Sequence, residues 1–155
     1  MKTNVVPHEF EWANGLVDRG LTDLIVIHHT ASAPDITVED IHAMHIGNGW
    51  SGIGYHLVIY PDGSVHQGRP IDMIGAHCEG YNARSIGVNL TGNFEESQPT
   101  QAQVDSLVAL LSDLMHDYNV PPEQVTGHNA WNATACPGRN LDAILPDIVA
   151  AAVRA

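Results

Sequence analysis

The stretch Leu24-Ile25-Val26-Ile27-His28-His29-Thr30 constrains this chain more than any other. Four consecutive aliphatic residues, three of them β-branched and with no helical spacing among them, predict a buried central strand. Successive side chains leave a strand on opposite faces, so His28 and His29 are expected to point opposite ways, and one face receives a single imidazole. One imidazole makes no site. Other segments must bring it partners.

Residues 1–20 show no clear period and read as an N-terminal arm, with Trp12, Leu16 and Val17 packing over the core. Thr37 with Asp40 three residues on resembles a capping box, predicting a helix from about Val38 to Ile46. That helix would turn Ile41, Met44 and His45 inward and leave Glu39, Asp40 and His42 to solvent. Trp50 to Gly54 reads as a flexible, glycine-rich connection. Tyr55 to Tyr60 reads as a second strand, with Tyr55, Leu57 and Ile59 on one face and His56, Val58 and Tyr60 on the other. Pro61-Asp62-Gly63 then turns the chain into Ser64–Gln67 to make a hairpin. Ser85 to Thr91 is a third strand, and its Gly87 implies close approach by another group. Thr100 with Gln103 opens a long helix carrying Val104, Leu107, Leu111 and Leu114 up to Asn119. Gln124 to His128 is short and extended. From Asn140 a helical stripe of Leu141, Ile144, Leu145, Ile148 and Val149 is expected to kink or restart at Pro146. This order predicts a single α/β domain over residues 1–155, a central mixed β-sheet flanked by helices, with the site at one sheet edge.

A chain of 155 residues can bury one sizeable core without staples. Six basic against eighteen acidic residues, formal charge −12, argue against nucleic acid, because phosphate binding needs basic clusters. No apolar run approaches the roughly 20 residues that span a bilayer, so no membrane insertion is expected. The start of the chain shows no secretory signal. Two cysteines, Cys78 and Cys136, allow one disulfide, but nothing else resembles a disulfide scaffold.

His28, Tyr55, His77, His128 and Cys136 all fall where strand ends and the loops after them converge. Imidazole and thiolate are good ligands for Zn²⁺, and a catalytic zinc keeps three protein ligands with the fourth position open. Residue types alone leave other readings standing. His28 reads equally as a hydrogen-bonded histidine at a strand end, Cys136 as a small buried hydrophobe, and Tyr55 as a packing residue.

Four motifs, in order, carry a resemblance: IVIHHTA, GWSGIGYHLVIYPDGSVHQGRP, IGAHCEGYNARSIGVNLTGNF and VTGHNAWNATACPG. Together they resemble the zinc-dependent type 2 N-acetylmuramoyl-L-alanine amidases, a family that includes short phage lysozymes and animal peptidoglycan recognition proteins. The likeness covers about residues 24–140. It implies one zinc ion held by His28, His128 and Cys136, with Tyr55 assisting catalysis beside the metal. Two residues before the cysteine the phage enzymes carry lysine, whereas Thr134 stands here, as in catalytic recognition proteins. A hydroxyl can hydrogen-bond a developing oxyanion but supplies no positive charge. His77 is expected to line the groove or to share proton transfers with Tyr55. Asn82 and Arg84 are expected to contact the peptide stem or to order their loop.

The resemblance implies cleavage of the amide between N-acetylmuramic acid and the L-alanine of the stem peptide, in a phage or prophage endolysin. Such an enzyme is expected to be a monomer made in the cytoplasm, reaching the host cell wall with help from a separate membrane-permeabilising protein. Two alternatives are a cytosolic recycling amidase acting on soluble anhydro-muropeptides, and a binding module that recognises muropeptides without cutting them.

Overall fold

The computed structural model describes all residues, Met1–Ala155. Strands β1 (Val5–Val6), β2 (Leu24–His29), β3 (Leu57–Ile59), β4 (Val65–Gln67), β5 (Ser85–Leu90) and β6 (Val125–Gly127) form one sheet, in spatial order β1-β4-β3-β5-β2-β6. Helices α1 (Val38–Gly47), α2 (Gln101–Tyr118) and α3 (Arg139–Arg154) cover it. β2 runs parallel to β5 and β6, and β5 parallel to β3, while β4 returns antiparallel to β3 through the expected hairpin. The sheet is therefore mixed and the domain α/β, as the element order implies.

Alternation along the strands divides the molecule into two unlike faces. Ile25, Ile27, Leu57, Ile59, Ile86, Val88 and Leu90 all point to one side, where they meet Leu107, Leu110, Leu111 and Leu114 of α2 and Leu141, Leu145 and Ile148 of α3. Burying each large aliphatic side chain stabilises by roughly 1.5–3 kcal/mol, so this face anchors the fold. On the other face the apolar set is thinner. Val58 meets Val38 and Ile41 of α1, and Leu24 and Val26 meet Cys78, which leaves room for polar groups between the two small clusters. Both capping boxes are formed, Thr37 with Asp40 on α1 and Thr100 with Gln103 on α2.

Five local expectations are corrected. The N-terminal arm contains β1, a two-residue strand paired parallel to β4, too short to leave a period in the sequence; Trp12 packs as expected, but Val17 is 65% exposed. The buried stripe of α1 is Val38, Ile41 and His45, with Met44 turned out. It is rotated because the arm stacks Phe10 on His42, ring centroids 4.3 Å apart, so His42 is covered and accepts from the Ile53 amide at 3.0 Å. Tyr55 precedes β3, escapes its alternation, and packs with Val58 instead of with Leu57 and Ile59. The connection before it is held fast: the buried Arg69 guanidinium donates to the carbonyls of Gly52, Ile53 and Ile74 at 2.9–3.1 Å. Finally, α3 runs without interruption through Pro146. Its apolar stripe against α2 offsets the missing hydrogen bond, and both Pro146 and Asp142, whose carbonyl loses its partner, are exposed to water.

Candidate active site

β2 and β6 lie side by side, and their carboxyl ends deliver one histidine each. His28 leaves β2 away from α2 and is buried, while His29 turns to the opposite face and accepts from the Phe94 amide at 3.1 Å. After β6 a short 3₁₀ turn, His128–Ala130, sets the His128 ring 4.6 Å from that of His28. The following loop folds back, with the Asn129 amide donating to the Cys136 carbonyl at 2.9 Å. That return puts Cys136 Sγ 3.5 Å from His28 Nδ1, with the His29 amide aimed at the same sulfur from 3.4 Å. One donor atom from each of His28, His128 and Cys136 thus lies within 4.8 Å of the others. They open into a cavity of about 1280 Å³, lined also by His45, Trp50, Tyr55, Trp131 and Thr134.

Burial sets the electrostatics. Desolvation, and then the neighbouring histidines, hold His28 well below the usual histidine pKa, and desolvation lowers His128 against the bond to Asn132. Burial pushes the Cys136 thiol up to about 12. Two imidazoles kept neutral have lone pairs to give, and a cation among these atoms would convert the thiol to thiolate. Two nitrogens and one sulfur, with an open cavity on the fourth side, fit a borderline-soft ion such as Zn²⁺. Both cysteines are free, so no disulfide removes Cys136 from the set.

The family model for N-acetylmuramoyl-L-alanine amidase matches residues 18–139. The chain belongs to that family. Among its relatives, the endolysin of Escherichia phage T7 is 35% identical over 130 residues, covering 79% of this chain and 85% of the endolysin. Peptidoglycan-recognition protein SC2 of Drosophila melanogaster is 37% identical over 125 residues, covering 75% of this chain and 68% of the fly protein. In three dimensions the amidase LysC from Clostridium intestinale superposes with a TM-score of 0.86 at 38% identity, covering 90% of this chain and 91% of that one. The chain is thus an amidase that hydrolyses peptidoglycan.

The other expected site residues of the amidase are spread over several elements. The Tyr55 ring lies 5.1 Å from that of His28; burial raises its pKa, so the phenol stays protonated, and its hydroxyl bonds to no protein group. Thr134 is exposed at the cavity, and its hydroxyl accepts from the Cys136 amide at 3.2 Å with its own proton left to donate. His77 borders the cavity but is 8% exposed. Asn82 Oδ1 accepts from the amides of His77 and Cys78, both at 2.9 Å, which shapes the loop that carries His77. Arg84 lies outside the cavity lining and makes a two-pronged pair with Asp23 at 2.7 and 3.0 Å.

Sequence reasoning missed the supporting residues. Asn132 Oδ1 lies 2.7 Å from His128 Nε2. His45 Nδ1 accepts from the Gly54 amide at 2.9 Å, and an added Cβ at Gly54 would come within 1.9 Å of the Ala76 carbonyl, so the Tyr55 and His77 loops pack backbone to backbone. The one signal available for these contacts was the glycine content of both loops.

Proposed function

We propose that the amidase is a single-zinc enzyme of the endolysin type that cuts between N-acetylmuramic acid and the L-alanine of the stem peptide. His28, His128 and Cys136 hold the ion, and Tyr55 and Thr134 act on the scissile amide. The reading is carried by one observation, the three donor atoms within 4.8 Å of one another beside an open cavity. Zinc held there would supply Lewis acidity to the carbonyl and make water reactive near neutral pH.

The chain's own residues do the rest. The Thr134 hydroxyl donates to the carbonyl oxygen as it gains charge, and its bond from the Cys136 amide orients it for that task. Tyr55, a neutral phenol with an uncommitted hydroxyl, carries the proton toward the leaving amine. Trp50 and Trp131 on the cavity lining give flat apolar surface to the sugar and stem peptide. The likeness to a phage endolysin over most of its length supports a protein made in the cytoplasm that meets the host wall once a separate protein has opened the membrane. No helix of the chain is long and apolar enough to cross a membrane. A complete donor set together with Tyr55 favours cutting over mere recognition.

The test is release of new amino groups from purified sacculi and from soluble muropeptides, before and after chelation and zinc add-back. Release from sacculi that chelation abolishes and zinc restores is expected. Release from soluble fragments alone would replace the endolysin by a recycling amidase. No release from either, with zinc bound, would leave only binding.

A further inference from the structure

His77 was expected in the groove, yet both of its ring nitrogens are committed inside the protein. Nδ1 lies 2.9 Å from His28 Nε2, and Nε2 lies 3.2 Å from Ser85 Oγ. Ser85 Oγ in turn lies 2.8 Å from the Tyr81 carbonyl. The ring rests on Gly87, where an added Cβ would come within 2.6 Å of it.

The far end of this chain fixes the direction of every proton in it. A carbonyl can only accept, so the single hydroxyl proton of Ser85 goes to Tyr81. Ser85 Oγ must then accept from His77, which places a hydrogen on His77 Nε2. A neutral imidazole with hydrogen on Nε2 has its lone pair on Nδ1, so His28 Nε2 must be the donor across the 2.9 Å contact. The lone pair left to His28 is on Nδ1, the atom that faces Cys136 Sγ from 3.5 Å. Both rings are buried, and neither has a carboxylate among its hydrogen-bond partners.

The geometry points to His77 as a positioning residue: anchored through Ser85 to the Tyr81 carbonyl, it locks His28 in the tautomer that offers Nδ1 to the metal. It has no nitrogen free to exchange protons with substrate, and proton transfer to the leaving amine falls to Tyr55. Asn132 does for His128 what His77 does for His28. Its Nδ2 donates to the carbonyls of Glu79 and Trp131, both at 3.1 Å, which leaves Oδ1 to accept from His128 Nε2 at 2.7 Å. Both histidines therefore present the same atom, Nδ1, through different supports. The metal side of this inference rests on the zinc reading above; the tautomers do not.

Two measurements on the full chain test it. Proton–nitrogen correlation spectra of the histidine rings, in metal-free and zinc-loaded protein, should show hydrogen on Nε2 of His28, His77 and His128, with His28 losing its single tautomer in His77→Phe. Zinc competition against a chromophoric chelator should show binding weakened by about 10- to 100-fold in His77→Phe. His77→Gln, whose side-chain carbonyl can accept from His28, should recover part of that loss, and Ser85→Ala should give a smaller one if His77→Phe does not fold. Hydrogen on Nδ1 of His28 in the wild-type chain, or zinc held by folded His77→Phe as tightly as by wild type, would overturn the inference. A wild-type chain that takes no zinc would sink the zinc reading instead, and the ring spectra of the metal-free protein would still decide whether His77 sets the tautomer.

Discussion

The two sides of the proposed metal site are built in opposite ways. His28 stands on β2, paired along its whole length with β5, and its support His77 is pressed onto Gly87 of that same strand. His128 and Cys136 stand on a 3₁₀ turn and a loop, partly exposed, tied down by a few bonds such as Trp131 Nε1 to Thr126 Oγ1 at 2.8 Å. One side belongs to the core, the other to the surface. The strand side is ordered by the sheet itself, so in the zinc reading it fixes one ligand, and the loop side supplies the other two.

Removing ligands one at a time gives the sharpest contrast. His28→Ala and His128→Ala should each lower amidase activity by at least about 1000-fold, since either leaves an ion with two protein ligands. They should differ in stability. In metal-free protein, His28→Ala empties a buried site and strands His77, for a loss of about 2–4 kcal/mol, whereas His128→Ala should stay within about 1 kcal/mol. Urea unfolding of the two metal-free variants measures this, and equal losses would erase the distinction.

Acid should attack the strand side first. His56 is fully buried beside β5, its Nδ1 accepting from the Gly87 amide at 3.0 Å and its Nε2 donating to the Met73 carbonyl at 2.7 Å. Burial lowers its pKa to about 3, against about 6.5 in the unfolded chain. Below pH 6.5 the unfolded chain therefore gains a proton that the native chain refuses. The stability from His56 is complete above about pH 6.5 and is lost as pH falls toward 3, a change of the order of a few kcal/mol. His45, lowered to about 4, acts in the same direction. The urea midpoint should fall between pH 7 and pH 4, less steeply in His56→Gln, and a flat profile would show that these rings are not held neutral.

Glycine substitutions probe how far each side can yield. An added Cβ at Gly87 meets the His77 ring at 2.6 Å between paired strands, while one at Gly127 meets Asn129 Oδ1 at 2.7 Å and Pro137 Cδ at 2.8 Å at the start of the loop. Gly87→Ala should cost about 1–3 kcal/mol and weaken zinc binding through His77, and Gly127→Ala should cost less because the loop can move. The reverse order would mean the loop is the stiffer side. The smallest effect is expected at the exposed rim: Thr134→Val should lower kcat by about tenfold with zinc content unchanged, below the loss for a fully enclosed oxyanion donor. A loss of zinc in that variant would make Thr134 a support for Cys136 instead.

The strand side was also the legible side. A run of aliphatic residues ending in two histidines announced β2, its burial and the divergence of His28 from His29, because period two is written residue by residue. Gly87 signalled a close approach, and the His77 ring is what approaches. The two capping boxes located α1 and α2 for the same local reason. What stayed hidden depends on contacts between distant segments. β1 is two residues long, α1 is rotated by an arm with no period of its own, and Tyr55 sits just ahead of the strand whose alternation it was assigned. Likewise, nothing in spacing links Asn132 to His128 or Ser85 to His77, since each pairing exists only after the loops have closed. The candidate ligands came from whole motifs, whereas their supports came only from the geometry.

The most direct measurement is zinc-edge X-ray absorption on the purified, zinc-loaded amidase. The expected first shell is two nitrogens near about 2.0 Å and one sulfur near about 2.3 Å, with one further light atom at the open position. In Cys136→Ser the sulfur should vanish. A first shell without sulfur in the wild-type protein, or one unchanged by Cys136→Ser, would contradict a metal centre assembled from β2 and the loop after β6.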